Sequence, residues 1–200
     1  MPSSPQPVAD LLAALQEALA ALGVRWYLFG AQAAVLYGVV RLSADVDVTV
    51  DLGKRSATDL VAALASAGFE LRVPDAAGFA EATRVLPFVH RASRMPLDVV
   101  LAGPGLEEQF FAGAQERLVG DVRVPVVCAE DLVAMKVLAG RPRDLDDVAA
   151  IARVRRDDLD LDKIRVTLRL LERALDRSDL IDELERVVTA ARRLPPDPRA

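Results

Sequence analysis

The sequence predicts an α/β protein: a mixed sheet with flanking helices, followed by a helical C-terminal part. Three observations carry that prediction. The apolar run Trp26-Tyr27-Leu28-Phe29 stops at Gly30 and gives way to a short apolar segment, a strand-turn-helix pattern. From Ala44 to Asp51, Asp45, Asp47, Thr49 and Asp51 alternate with Val46, Val48 and Val50, which is the period of a half-buried strand. Beyond Ala129 the apolar residues recur at helical spacing.

Taken in order, Val8 to Leu22 places Leu11, Leu12, Leu15, Leu19 and Leu22 on one helical face, and Gly23 ends it. Val24 to Phe29 is the first strand, Ala31 to Tyr37 the short helix, and Ala44 to Asp51 the second strand. Lys54 to Ala67 is an amphipathic helix closed by Gly68, leading into the strand Phe69 to Val73. Residues 75–82 read either as a helical turn or as loop. Thr83 to Arg91 and Met95 to Ala102 form two strands joined at Ala92-Ser93-Arg94, with Pro87 and Pro96 marking breaks or edges. Gly105 to Arg117 reads as helix, and Val122 to Val127 as a short strand that Pro125 makes peripheral. Helices follow over Glu130 to Ala139, Leu145 to Arg153, Leu161 to Leu175 and Asp179 to Leu194, with Asp160 and Ser178 as caps for the last two. The expected organisation is a core over 8–128, a helical region over 129–194, and disordered Pro-rich tails at 1–7 and 195–200.

The 200 residues are 52% hydrophobic, enough for a sizeable core and too apolar for a disordered chain. Net charge is −5; residues 1–135 hold 10 basic against 16 acidic residues, and 136–200 hold 15 against 14. That balance announces no extended basic face for nucleic acid. Cys128, the one cysteine, excludes an intramolecular disulfide and a thiolate zinc site, and reads as a buried thiol. The N-terminus lacks a basic n-region and no apolar stretch is long enough to span a bilayer, so no membrane partner and a soluble, cytoplasmic protein are expected.

Chemistry concentrates in the first strand-turn-helix-strand unit. Side chains at i and i+2 of a strand share a face, so Asp45 and Asp47 lie roughly 6.6 Å apart at about 3.3 Å per residue. Two carboxylates so placed can converge on divalent cations. Gly30 lets the backbone approach a bulky ligand, and main-chain N–H groups after it suit phosphate. The structural alternative is the solvent face of an edge strand. Asp98 adds weight, because in the apolar run Pro96-Leu97-Asp98-Val99-Val100 an unpaired carboxylate costs several kcal/mol, on the order of an uncompensated buried polar group. A cation or a salt-bridge partner would offset that cost.

A Gly turn, a short helix and then Asp-x-Asp on the next strand resembles the nucleotidyltransferase fold shared with DNA polymerase beta. The version here, Phe29-Gly30-Ala31-Gln32 through Tyr37-Gly38 and Arg41-Leu42-Ser43-Ala44-Asp45-Val46-Asp47, looks most like bacterial minimal nucleotidyltransferases and AbiEii-type toxin nucleotidyltransferases. It departs at Ala31, where those families carry Gly or Ser; the N–H remains but a hydroxyl contact to phosphate is lost. The resemblance implies a third carboxylate on a neighbouring strand, the place of Asp98. It also implies Mg²⁺, with Mn²⁺ as a substitute, held by Asp45, Asp47 and Asp98, and an NTP bound near Gly30 and Ala31.

A second resemblance lies in Ala129 to Asp147, where a helix bearing Lys136 precedes Arg141-Pro142-Arg143-Asp144-Leu145-Asp146-Asp147. It implies that Lys136 neutralises the triphosphate and that Asp144 either orients it or caps the next helix. The alternative is an interhelical ion-pair cluster, with Asp147 one turn beyond Asp144. Arg41 either reaches a phosphate or pairs with an aspartate. His90 has no partner of ligand type nearby in sequence and reads as a structural strand residue. Arg153 to Asp162 reads as a solvated loop.

The resemblance implies Mg²⁺-dependent transfer of NMP from an NTP to an acceptor, either RNA such as tRNA or a partner protein, as part of a toxin–antitoxin system. A small-molecule acceptor of the aminoglycoside type, and a non-catalytic nucleotide- or partner-binding protein with a degenerate fold, remain the alternatives.

Overall fold

The computed structural model describes residues 7–194. They fall into two compact units: one comprises residues up to Gln32 with Leu42–Val127, the other Ala33–Arg41 with the residues from Cys128 onward. Of the tails expected over 1–7 and 195–200, all but Pro7 lie outside the described residues.

The first unit holds helix α1 (Pro7–Leu22), strand β1 (Arg25–Phe29), the start of helix α2 (Gly30–Leu36) and strand β2 (Val46–Asp51). Helix α3 (Ala57–Ser66), strand β3 (Phe69–Leu71), helix α4 (Ala76–Thr83) and strands β4 (Val85–His90) and β5 (Pro96–Leu101) follow, then helix α5 (Glu107–Gly113) and strands β6 (Gln115–Val119) and β7 (Val122–Val126). The strands make one mixed sheet in the order β3-β4-β5-β2-β1-β7-β6. β2 runs antiparallel to β1 and parallel to β5, so the acidic strand lies inside the sheet and not at its edge. Val46, Val48 and Val50 are fully buried, as are Leu11, Leu12, Leu15 and Leu19 of α1 and Leu60 and Leu64 of α3. Each such side chain contributes about 1.5–3 kcal/mol on burial.

Several elements differ from the sequence expectation for identifiable reasons. Pro7, assigned to the leader, opens α1, a position where its missing N–H costs nothing. α3 starts at Ala57 and not at Lys54, because Ser56 and Asp59 form a reciprocal capping box. Asp75 accepts from the Gly78 N–H and turns the ambiguous 75–82 segment into α4. The helix expected to run to Arg117 stops at Gly113, and β6 pairs with β7 across Gly120, whose φ is 60°. β7 is therefore not peripheral. Pro125 lies between two neighbours, and pairing with β1 is confined to Leu28↔Val126. In the same way, Arg72 N–H donates to Pro87 O at 2.8 Å, proline has no N–H to return, and β3 ends at Leu71.

The second unit contains the rest of α2 with helices α6 (Ala129–Ala139), α7 (Pro142–Val154), α8 (Leu161–Leu175) and α9 (Leu180–Arg193). α7 begins three residues before the expected Leu145 because Pro142 is acceptable in a first turn. Asp160 caps α8 by accepting from the Lys163 N–H. Ser178 does not cap α9; Glu172 accepts from the N–H groups of Leu180 and Ile181, at 2.8 and 3.2 Å. Among the described residues no helix is long and apolar enough to cross a membrane.

Candidate active site

In the first unit the sheet register brings two of the expected carboxylates side by side. Asp47 and Asp98 are register partners on the parallel strands β2 and β5, and Phe29 is opposite Asp47 on β1. Neighbouring strands lie about 4.8 Å apart, so the two residues share one face at close range. Asp45 stands one residue before β2, held by Ser43, whose hydroxyl lies 2.9 Å from Asp45 Oδ1. The strand therefore starts later than Ala44, and Asp45 is a loop-end residue.

Gly30 is shaped by one of these carboxylates, Asp47. Its φ is 67°, a region that L side chains avoid, and a Cβ there would collide with Asp47 Oδ2 and stand 2.7 Å from its Cγ. Asp47 thus lies directly over the turn. Ala31 follows, buried.

The electrostatics of Asp98 fit a hard cation. Burial pushes its carboxyl above the usual range; Arg72 at 3.6 Å opposes this and the charge of Asp45 reinforces it. A cation would reverse the imbalance, and the donors are oxygens of the kind Mg²⁺ or Mn²⁺ prefers. Among the described residues, however, no three His, Cys, Asp or Glu side chains are already gathered around one point. Arg72, which the sequence did not single out, is the cation nearest Asp98.

In the second unit, Lys136 Nζ donates to Asp144 at 3.2 Å and to Asp147 at 2.7 Å. Asp147 also accepts from Arg41 at 2.8 Å, and Arg141 bonds Asp144. Arg41 therefore pairs with an aspartate, Asp147. Lys136, Asp144 and Asp147 are buried, and three cations meet two carboxylates. Burial would raise the Asp144 carboxyl, but Arg141 and Lys136 outweigh it and hold it below the usual range.

Two other titratable groups have structural settings. His90 Nδ1 lies 2.8 Å from Ser93 Oγ, its ring packs on Phe69, and burial lowers its pKa. Cys128 donates to Asp131 Oδ2 at 3.0 Å and accepts from Lys163 Nζ at 3.0 Å, joining α6 to α8. Burial, helped by Asp131, pushes the thiol up to about 11. At pH 7 it holds roughly a hundredfold less thiolate than an unperturbed cysteine. Iodoacetamide should therefore label the folded protein slowly at pH 7, with a rate rising about tenfold per pH unit towards that value. Labelling at pH 7 as fast as free cysteine would show that the thiol is not held this way.

The comparisons agree with this architecture. No curated protein matches the chain. An antigenic nucleotidyltransferase-like protein from Paracoccidioides brasiliensis superposes with a TM-score of 0.53 at 17% identity, covering 89% of this chain and 90% of its own. The antibiotic-resistance factor ANT(2'')-Ia superposes with a TM-score of 0.50 at 17% identity, covering 92% and 91%. At such identities the likeness is one of fold. The family model of the nucleotidyl transferase AbiEii toxin, type IV TA system, matches residues 11–199. With nearly the whole length matched, and with the Gly turn and the in-register carboxylates in place, the chain belongs to the AbiEii family of nucleotidyl transferases.

Proposed function

We propose that this nucleotidyltransferase moves NMP from an NTP to a macromolecular acceptor, RNA or a partner protein, as the toxin member of a toxin–antitoxin pair. The observation that supports it best is the in-register placement of Asp47 beside Asp98, with Gly30 shaped to leave room for Asp47. Asp45, Asp47 and Asp98 would hold Mg²⁺, which when bound neutralises the phosphates and lowers the pKa of an acceptor hydroxyl.

The chain's own residues then have distinct tasks. Asp47 and Asp45 would hold the cation beside the Gly30 turn, and that cation would supply positive charge for the phosphate end of the nucleotide. Asp98, whose carboxyl already titrates high, takes the proton of the acceptor hydroxyl. The acceptor oxygen forms a bond to the α-phosphorus, the bond from that phosphorus to the bridging oxygen breaks, and pyrophosphate leaves. Positioning and charge account for most of the acceleration. Gly30 and Ala31 offer main-chain N–H groups to phosphate.

The test is Asp47→Asn. Like charges on one face repel in the metal-free protein, so the variant should be at least as stable as the parent without Mg²⁺. With Mg²⁺ the parent's melting temperature should rise with metal concentration, as binding to the native state requires, and the variant's should not. Transfer from an α-labelled NTP should fall by at least about a hundredfold, the scale of losing one transition-state charge contact. Full activity in Asp47→Asn would overturn the reading. Labelled cell extract treated with nuclease or protease then separates an RNA acceptor from a protein one. Ala31 is the residue that favours a non-catalytic binder, and NTP bound without turnover would establish that alternative.

A further inference from the structure

Asp45 is proposed above to share a cation with Asp47 and Asp98, yet the sheet does not fix it. β2 begins at Val46, and the registers of β2 with β1 and β5 reach Asp47 and Val46 but not Asp45. A carboxylate outside the ladder lacks the strand pairing that fixes Asp47 and Asp98 side by side. Something else must hold it.

We propose that Ser43 is the positioning residue that holds Asp45 for catalysis, an inference that rests on the cation-binding reading of the carboxylates. The Ser43 hydroxyl is 2.9 Å from Asp45 Oδ1 and 3.1 Å from the Asp45 carbonyl oxygen. One O–H therefore bridges the side chain and the main chain of the same residue and restricts its χ1. Gln32 Nε2 reaches that carbonyl from α2 at 3.4 Å, a weaker support of the backbone. The bridge engages Oδ1 and not Oδ2. Together the two donors do for Asp45 what strand pairing does for Asp47. Ser43 is half-exposed, so its contribution is orientation and not core packing. Partners that orient a ligating carboxylate typically change metal affinity or activity by about 10–100-fold when removed.

The experiment uses the full chain with Ser43→Ala, Ser43→Thr and Asp45→Asn. Mn²⁺ affinity is read by electron paramagnetic resonance of free Mn²⁺, alongside kcat and KM for NTP. Ser43→Ala should weaken Mn²⁺ binding and lower kcat by about tenfold or more, with KM for NTP and melting temperature close to the parent's. Ser43→Thr keeps the hydroxyl and should restore both. If Asp45→Asn loses Mn²⁺ but Ser43→Ala binds and turns over like the parent, the positioning role is overturned while the carboxylate reading stands. Failure of Ser43→Thr to restore function in a folded protein would equally overturn the role of the hydroxyl. If Asp45→Asn itself binds Mn²⁺ and transfers NMP normally, the underlying reading fails and the inference with it.

Discussion

Gly30→Ala is expected to lose transfer activity and about 1–3 kcal/mol of stability together, although it adds a single methyl group. Two costs meet at this residue. An L side chain in the left-handed region costs about 1–2 kcal/mol, and Gly30 has a φ of 67°. The added Cβ also collides with Asp47, so either the turn or the carboxylate must move. A carboxylate misplaced by an ångström loses most of its value in positioning a reacting group. Gly53→Ala separates the two costs. Gly53 also has a positive φ, 53°, but a Cβ there meets nothing within 4 Å. That variant should show the backbone penalty alone and keep its activity. Urea unfolding and NTP transfer on both variants decide the matter; equal behaviour of the two would mean that Asp47 does not lie over the turn.

That result would refine what the sequence expects of Gly30. The strand-turn-helix pattern locates the turn, and phosphate is the obvious reason for a glycine there. Only the register between β1 and β2, with Phe29 opposite Asp47, shows that Asp47 itself occupies the space. Asp98 is legible in the sequence as a carboxylate in an apolar strand. Its being a partner of Asp47 depends on a parallel pairing of strands some fifty residues apart, which local pattern does not encode. The hairpin β6–β7 was hidden for a related reason. Leu118-Val119 and Val122-Arg123 flank Gly120-Asp121, a short-turn signal, but Glu107 to Phe111 before them reads as helix and extends the pattern too far. Pro125 suggested an edge because proline lacks a donor; the sheet accommodates it by shortening one ladder instead. Helices of the second unit were the most legible, since amphipathic spacing and the Asp160 cap are local signals.

Asp147→Ala should be among the most destabilising substitutions in the chain, at about 3–5 kcal/mol, the scale for removing one partner of a buried ion pair. Asp147 is only 3% exposed and accepts from both Lys136 and Arg41. Its loss leaves Lys136 with Asp144 alone, and Asp144 is already shared with Arg141. Lys136→Met deletes the opposite charge from the same network and should cost less. Arg41 still meets Asp147, Arg141 still meets Asp144, and methionine replaces most of the apolar stem. Titration gives a further distinction. Asp144 is held below its ordinary pKa, so it contributes stability above the unfolded carboxylate value that is lost as pH falls through the folded one. Lys136→Met removes part of that depression, so less of this stability remains to be lost and the acid-dependent fall should be shallower than in the parent. Urea unfolding at neutral and acid pH, with NTP binding measured on each folded variant, tests both halves. Asp147→Ala costing less than Lys136→Met would show that the lysine, not the shared aspartate, is the group the network is built to hold. A Lys136→Met protein that folds normally but binds NTP less tightly would place that charge on the nucleotide.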